Sequence, residues 1–263
     1  MRIASLYRYP VKGLSPERLS RAALTRGQYF PGDRLFAIEN GPSGFDPAEP
    51  VHQPKIKYLM LMRNEALARL RTRYDDASGD LVIDHEGKQA LRASTVTTEG
   101  HQRITAFFEA FMPDELRGTP RWLGAPTGYR FTDSPKGFVS IINLASVAEL
   151  ESRVGAPLDP LRFRGNVMVE GLAPWAEFDL VGQELATSSG ARLRVTKRIV
   201  RCAATNVDPQ TGLRDQQIPK ALMDAYGHAD CGVYCEVLEG GTLAEGEALN
   251  HAPAPVQTAL GIA

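Results

Sequence analysis

Breakers dominate this chain. Its 24 glycines and 18 prolines divide the apolar residues into short runs, and a run of four to nine residues between breakers has room for a strand but seldom for a helix. Arg2 to Tyr9, Leu19 to Leu24 and Arg34 to Glu39 alternate loosely between apolar and polar residues and are bounded by Pro, Gly or Asp. "KIKYLMLM" reads as a strand, and "DLVIDHEGKQALRA" as two strands joined at Glu86-Gly87. The last third, with "RLRVTKRIV", "CGVYCEVLEGG" and "TLAEGEALN", is strand after strand. Only two stretches have helical spacing. Ile104, Phe107, Phe108 and Phe111 make a stripe in "TEGHQRITAFFEAFM", ending before Pro113. Val147, Leu150 and Val154 share a face in "LASVAELESRVG", where Gly155 suits the C-terminal cap. The class that follows is β-rich α+β with few helices.

The aperiodic stretches mark the organisation. "ENGPSGFDPAEPVHQP" is a long loop of the kind that often carries function. Residues 113 to 128 are rich in Pro and Gly and hold the best boundary, after which "FVSIIN" and "NVMVEG" restart the strand pattern. The expectation is one unit over 1–125, a second over 126–252 and a flexible tail over 253–263. A chain of 263 residues accommodates either one large domain or two closely joined ones.

A formal net charge of −1 and 23% charged residues exclude the basic surface that nucleic acid requires and point to small-molecule or protein partners. No run approaches the roughly 18 apolar residues of a membrane span, so the expectation is a cytoplasmic protein with no membrane partner. Three cysteines, Cys202, Cys231 and Cys235, make no disulfide framework.

Cys231 and Cys235 lie in "CGVYCEV". If that is a strand, their backbones stand roughly 13 Å apart, too far to share a zinc ion or a disulfide. The five histidines, His52, His85, His101, His228 and His251, show no ligand spacing. Cys202 differs because it ends the β-branched run "RLRVTKRIV" and enters the loop "RCAATNVDPQTG". Basic neighbours such as Arg198 and Arg201 favour a thiolate, the form that acts as nucleophile or soft-metal ligand. Lys12 in "YPVKG" and Arg34 in "PGDRLFAI" sit at strand ends. In "LRFRGNVMV", Arg162, Arg164 and Asn166 occupy alternate positions that a strand would aim at one side. Basic groups and an amide converging on one cavity suit an anion such as a phosphate. A set of solvated arginines is the other reading of the same spacing.

"YPVKG", "GDRLFAIENG", "FRGNVMVEG", "RCAATNVDPQTG" and "GVYCEVLEGGTLAEGEAL", in that order, resemble the MOSC family with its N-terminal MOSC-associated β-barrel. They are similar to the mitochondrial amidoxime reducing components and their bacterial relatives, over nearly the whole chain. The resemblance implies an N-terminal β-barrel-like domain packed on a C-terminal MOSC β-barrel. It also implies molybdenum cofactor, a metal-bearing molybdopterin, bound between them. By position, Cys202 matches the thiolate that binds the metal, with the pterin dithiolene supplying other sulfurs. Lys12, Arg34 and Arg164 match residues that hold the pterin and phosphate, and Asn166 follows Arg164. Arg201, Thr205 and Asp208 match the flanks of the metal-binding loop. Asp208 is the candidate for proton movement, capping of its own turn being the other role. Two positions depart from the pattern. Asn206 stands where the reductase branch usually has a second threonine, and Gly13 where serine is common. Both bear more on reductase activity than on cofactor binding.

The activity implied is reduction of N-oxygenated small molecules such as N-hydroxylated amidines. Its electrons would come from a separate ferredoxin or cytochrome b5-type protein with its reductase. The chain has no Gly-x-Gly-x-x-Gly turn after a strand, and its three cysteines are too few for a typical iron–sulfur centre. Two alternatives stand beside it. One is a carrier of the cofactor, or of sulfur as a persulfide on Cys202. The other is a Cys/His hydrolase, which needs a histidine beside Cys202.

Overall fold

The loose alternation of the first eight residues is realised as strand β1, Arg2–Arg8, where Ile3 and Leu6 are buried and a bulge between Ile3 and Ser5 interrupts the period. The computed structural model describes residues 1–136 and 138–252, and the expected tail 253–263 lies outside them. After β1 come β2 (Glu17–Leu19), β3 (Arg21–Leu24), β4 (Phe36–Asn40), β5 (Leu70–Tyr74), β6 (Asp80–His85) and β7 (Lys88–Ser94). Then follow α1 (Thr98–Phe111), β8 (Pro120–Gly124), β9 (Val139–Asn143), α2 (Leu144–Val154), β10 (Val167–Glu170), β11 (Glu184–Ala186) and β12 (Arg192–Val200). The described chain ends with α3 (Ile218–Tyr226), β13 (Asp230–Glu239), β14 (Gly241–Ala244) and β15 (Asn250–His251).

Eight strands form one sheet in the order β15-β11-β12-β13-β9-β10-β1-β2. Its one parallel pair is β9 with β10, joined through α2 as a parallel pair requires. The sheet curls. Gly246 N donates to Ile3 O (2.8 Å) and Leu249 N to Met1 O (3.0 Å), after which the chain reaches β15 on the opposite edge. Ile3, Leu6, Ile141, Val167, Leu193 and Val233 fill the interior. A second core joins the β5-β6-β7 sheet to α1 and the β4-β8 pair through Leu70, Ile83, Ile104, Phe108 and Trp122. The third lies under α2 and α3, around Val147, Leu150, Ile218 and Leu222. The result is β-rich α+β, and β1 and β3 pair with strands from the second half of the chain.

Both expected helices form. Thr97 Oγ1 accepts from Gly100 N at the start of α1, and Gly155, at φ 69°, ends α2. Glu86 and Gly87 are both left-handed, at φ 52° and 75°, the backbone that a two-residue hairpin turn prefers.

Four local expectations fail for identifiable reasons. "KIKYLMLM" is no strand. Lys55–Lys57 is a single 3₁₀ turn following Pro54, and Met60 N donates to Asn64 Oδ1 (3.1 Å), which folds the apolar residues Tyr58 to Leu61 into a buried turn. Leu19 to Leu24 splits at Ser20 into β2 and β3, which belong to different sheets. The Arg162/Arg164/Asn166 alternation is replaced by a 3₁₀ turn at Pro160–Phe163 and a left-handed Arg164 (φ 50°). In the last third, α3 interrupts the strands. Pro219 in its first turn and Gly227 (φ 72°) after it are its start and stop signals.

Candidate active site

The ends of β1, β10 and β12 meet at a cavity of about 470 Å³, lined among others by Lys12, Arg34, Lys55, Asp133, Arg162, Arg164, Asn166, Lys197, Arg201, Cys202, Thr205 and Tyr234. Seven of the eight candidate residues are among its walls. Asp208 is the exception.

Tyr9, fully buried one residue beyond β1, organises one wall. The Arg34 guanidinium carbon lies 4.4 Å and that of Arg164 4.3 Å from its ring centroid, so an aromatic ring is placed against two cations. Arg34 donates to both oxygens of Asp33 (2.6 and 2.5 Å) and to Arg164 O (3.1 Å). Burial works against its charge, but Asp33 more than offsets this and raises its pKa. Arg164 has no such partner. Its Nη1 donates to Leu14 O (2.8 Å), and burial together with repulsion from Arg34 holds it down at about 10. Lys12 is 6% exposed and donates to Phe131 O (3.0 Å) and to Asp133. Burial lowers its pKa despite that carboxylate. Asp133 is driven far below the carboxylate range. Burial opposes the shift, but Lys12 and then Lys55 overcome it.

On the opposite wall, Arg201 follows β12 directly. It donates from Nε to Cys231 O (2.7 Å) and from Nη1 to Phe163 O (2.7 Å), and burial lowers its pKa. It meets carbonyls only, so its charge is solvated by dipoles and left unneutralised. Gly232 makes room for it. A Cβ there would stand 2.5 Å from Ile141 O and 3.2 Å from Arg201 Nη2. Cys202 opens the 3₁₀ turn Ala203–Asn206 with extended backbone and is half-buried at the cavity. Its carbonyl accepts from Thr205 N (3.0 Å) and Thr205 Oγ1 (2.9 Å), so Thr205 fixes the turn that presents the sulfur. Asn166 Oδ1 accepts from Ser140 N and Oγ (3.1 and 2.8 Å), and its Nδ2 donates to Tyr7 O (3.2 Å). Its amide therefore joins β1, β9 and β10 behind the cavity.

Asp208 is placed differently from the expectation of a proton carrier. Its Oδ1 accepts from Gln210 N (2.8 Å), Thr211 N (2.7 Å) and Thr211 Oγ1 (3.0 Å), and its Oδ2 from Arg162 Nη2 (2.9 Å). Burial opposes its ionisation, but these donors keep its pKa below the usual range. It caps the turn after the cysteine and does not face the cavity. Neither departure from the family pattern touches Cys202 chemistry directly. Asn206 Oδ1 accepts from Ile218 N (2.9 Å), at the start of α3, away from the cavity. Gly13, at φ 84°, has Leu59 O 3.0 Å from where a Cβ would be, so serine there would be strained.

The sequence reading missed Lys55, Asp133 and Lys197. Lys55 Nζ lies 3.7 Å from Asp133 Oδ2. Burial would lower its pKa, but Asp133 and the nearby Cys202 sulfur raise it overall. Lys197 Nζ donates to Ser134 Oγ (3.0 Å). The one available signal for Lys55 was its place at the end of the long Gly/Pro-rich loop. Cys231 and Cys235 are buried in β13, and burial pushes the Cys231 thiol up to about 12. No histidine lines the cavity. His228 stacks among Trp175, Phe178 and Tyr226, and its Nδ1 accepts from Asp230 N (3.1 Å). Among the described residues, no three His, Cys, Asp or Glu side chains converge on a metal position, and no helix is long and apolar enough to cross a membrane.

Residues 1–116 match the family described as MOSC N-terminal beta barrel domain, and residues 128–250 match the family described as MOSC domain. A molybdenum cofactor sulfurase of Caenorhabditis briggsae is 24% identical over 232 residues, 84% of this chain and 31% of that protein, so the chain spans about a third of that relative's length. Among solved structures, the YuaD protein of Bacillus subtilis is 14% identical with a TM-score of 0.47, over 94% of this chain and 93% of its own. YiiM of Geobacillus stearothermophilus is 20% identical with a TM-score of 0.37, over 46% and 57% of the two chains.

Proposed function

Because the chain belongs to the MOSC family, which is associated with molybdenum cofactor and whose two domains it carries in order, we propose that it is a cofactor-dependent oxidoreductase that reduces N-oxygenated compounds. The supporting observation is the charge of the cavity. Eight cations line it against two carboxylates, Asp33 and Asp133. Arg164 and Arg201 among them are half-buried with no anionic partner. A folded protein keeps such charges out of water at a cost unless something anionic completes the site, and a pterin phosphate would do so.

In this reading Arg164, Arg201, Lys12 and Arg34 hold the phosphate and pterin, Asn166 keeps their strands in register, and Cys202 provides the single protein sulfur to the metal. When bound, the molybdenum supplies two-electron redox chemistry. Converting R–NH–OH to R–NH₂ and water consumes two electrons and two protons. Lys55 Nζ is the ionisable group beside both Cys202 and Asp133 at this cavity, and it takes the proton-delivering role first expected of Asp208. The electrons arrive from a separate ferredoxin or cytochrome b5-type protein with its reductase.

The name of the sulfurase relative favours a second reading, a carrier of cofactor or of sulfur on Cys202. Both readings are tested on protein purified from a host that makes the cofactor, by its molybdenum and pterin content and by turnover of an N-hydroxylated amidine with a chemical reductant. Turnover by loaded protein supports the reductase. Loaded protein without turnover moves the assignment to the carrier, and absence of pterin rejects both.

A further inference from the structure

Two segments distant in sequence enclose Cys202. Met60 and Leu61 line the cavity from the buried turn of the first half, and Ala204 lines it from the turn that Cys202 opens. Behind them lies Arg214, which is not part of the cavity wall. An isolated bridge between Val207 and Arg214 folds the chain back on itself, so the Arg214 side chain returns to the start of the cysteine turn. Its Nη1 donates to Ala203 O (2.9 Å), one residue past Cys202. Its Nη2 donates to Glu65 Oε2 (2.9 Å), Met62 O (3.2 Å) and Leu61 O (3.4 Å). One planar guanidinium thus spans the two segments beside the sulfur, a reach that its fork of donors provides. The far end of the same loop has its own tie, from Arg71 Nη2 to Gln210 O and Oε1 (both 3.0 Å). The Arg214 and Glu65 side chains are 32% and 46% exposed, so their pair adds little to folding. A tie that is weak for folding yet placed beside the sulfur acts on the geometry of the site.

We propose that Arg214 is a positioning residue that sets the gap between Cys202 and the Met60–Leu61 wall, and so limits the size of the group that reaches the sulfur. It acts through Ala203 on one side and through Leu61, Met62 and Glu65 on the other. With the tie in place the two segments close on each other, Ala204 packing against the second core that contains Leu61. Without it, that packing and the distal Arg71 tie are what hold them, and the cavity opens at the cysteine end. In the reductase reading, on which this step rests, the limit falls on the body of the N-hydroxylated substrate: compact compounds are admitted and bulky ones excluded.

The test uses the full chain as wild type, Arg214→Met and Arg71→Met, methionine keeping the apolar stem and removing the fork. In protein made without cofactor, alkylation of Cys202 is timed with iodoacetamide and with a bulky maleimide; Cys231 and Cys235, buried in β13, are the unreactive background. In protein from a cofactor-synthesising host, kcat and KM are compared for a compact and a bulky N-hydroxylated amidine with a chemical reductant. Arg214→Met is expected to raise the maleimide rate about fivefold relative to the iodoacetamide rate, the factor that one part-exposed charged tie is worth. It should also lower KM for the bulky amidine and leave that for the compact one unchanged. Arg71→Met loosens only the far end, so its ratio of alkylation rates should stay within about twofold of wild type. An unchanged ratio in Arg214→Met, or an equal rise in both variants, overturns the proposal. If Arg214→Met does not fold, Glu65→Ala, which withdraws one of the four acceptors, carries the same test, and an unchanged ratio there overturns it too. A raised ratio with an unchanged preference between the amidines overturns the limit on substrate size. If the ratio rises but loaded wild type turns over neither amidine, the positioning role stands and the reductase reading fails.

Discussion

Replacing Arg164 by methionine separates stability from function. This arginine is a half-buried cation repelled by Arg34, and its pKa is held at about 10 rather than the ordinary 12.5. Arginine stays protonated at any working pH, so the shift is read as a stability penalty, on the order of 3 kcal/mol at 1.36 kcal/mol per pKa unit. Two contacts offset it. Stacking on Tyr9 contributes about 1 kcal/mol and the bond to Leu14 O about 1 kcal/mol. Methionine retains the apolar stem without the charge. Arg164→Met is therefore expected to leave the unfolding free energy in urea within about 1 kcal/mol of wild type, or above it, where truncating an ordinary buried side chain costs about 2–5 kcal/mol. Inorganic phosphate should then raise the wild-type midpoint by mass action and the variant's far less, through affinity about tenfold or more weaker. A loss of 3 kcal/mol or more, or equal stabilisation of both proteins by phosphate, would refute the argument that this charge is kept for an anion.

Cys202→Ala is expected to remove molybdenum while Cys231→Ala retains it; equal metal content in the two variants refutes the ligand assignment. Gly232→Ala should lower thermal stability by several kcal/mol and displace Arg201, because its φ is 79° and the new Cβ would stand 2.5 Å from Ile141 O; a wild-type melting temperature would contradict this. Tyr9→Phe should be neutral or stabilising by up to about 1 kcal/mol, since the Tyr9 hydroxyl is buried without a partner, and cofactor content should not change. Loaded protein given NADH alone should not turn over an N-hydroxylated amidine, and adding a ferredoxin or cytochrome b5-type donor with its reductase should start the reaction; efficient turnover on NADH alone refutes the need for a partner.

What could be read in advance was whatever depends on local period and breakers. Strands such as Arg192–Val200 and helices such as Thr98–Phe111 carry their spacing in consecutive residues. Long-range assignments do not. Nothing in "KIKYLMLM" distinguishes a strand from a buried turn, because the deciding contact comes from Asn64 and the burial from Leu67 and Ile38. Nothing in "ERLSRAAL" reveals that Ser20 divides two sheets whose partners are Tyr7 and Ala244 and their neighbours.

The site follows the same rule with one instructive difference. Family resemblance supplied Lys12, Arg34, Arg164 and Cys202, and these share one cavity, but it assigned Asp208 by adjacency to the cysteine. Adjacency in sequence is a poor guide in a turn, where successive side chains diverge. Asp208 is drawn outward by three donors of its own turn and by Arg162. Under the proposed reductase reading the proton-bearing position falls instead to Lys55, 147 residues before Cys202 in the chain, brought there by the pairing of β4 with Tyr58. Cavity chemistry is thus assembled from both halves. Because β1 is hydrogen-bonded into the sheet of the second half, Tyr9 and Lys12 reach Cys202 only when that strand is seated. Removing residues 1–16 should therefore abolish pterin retention even if Cys202 and Arg201 are untouched, and retention by the truncated chain would show that the cofactor is held without β1, Tyr9 and Lys12.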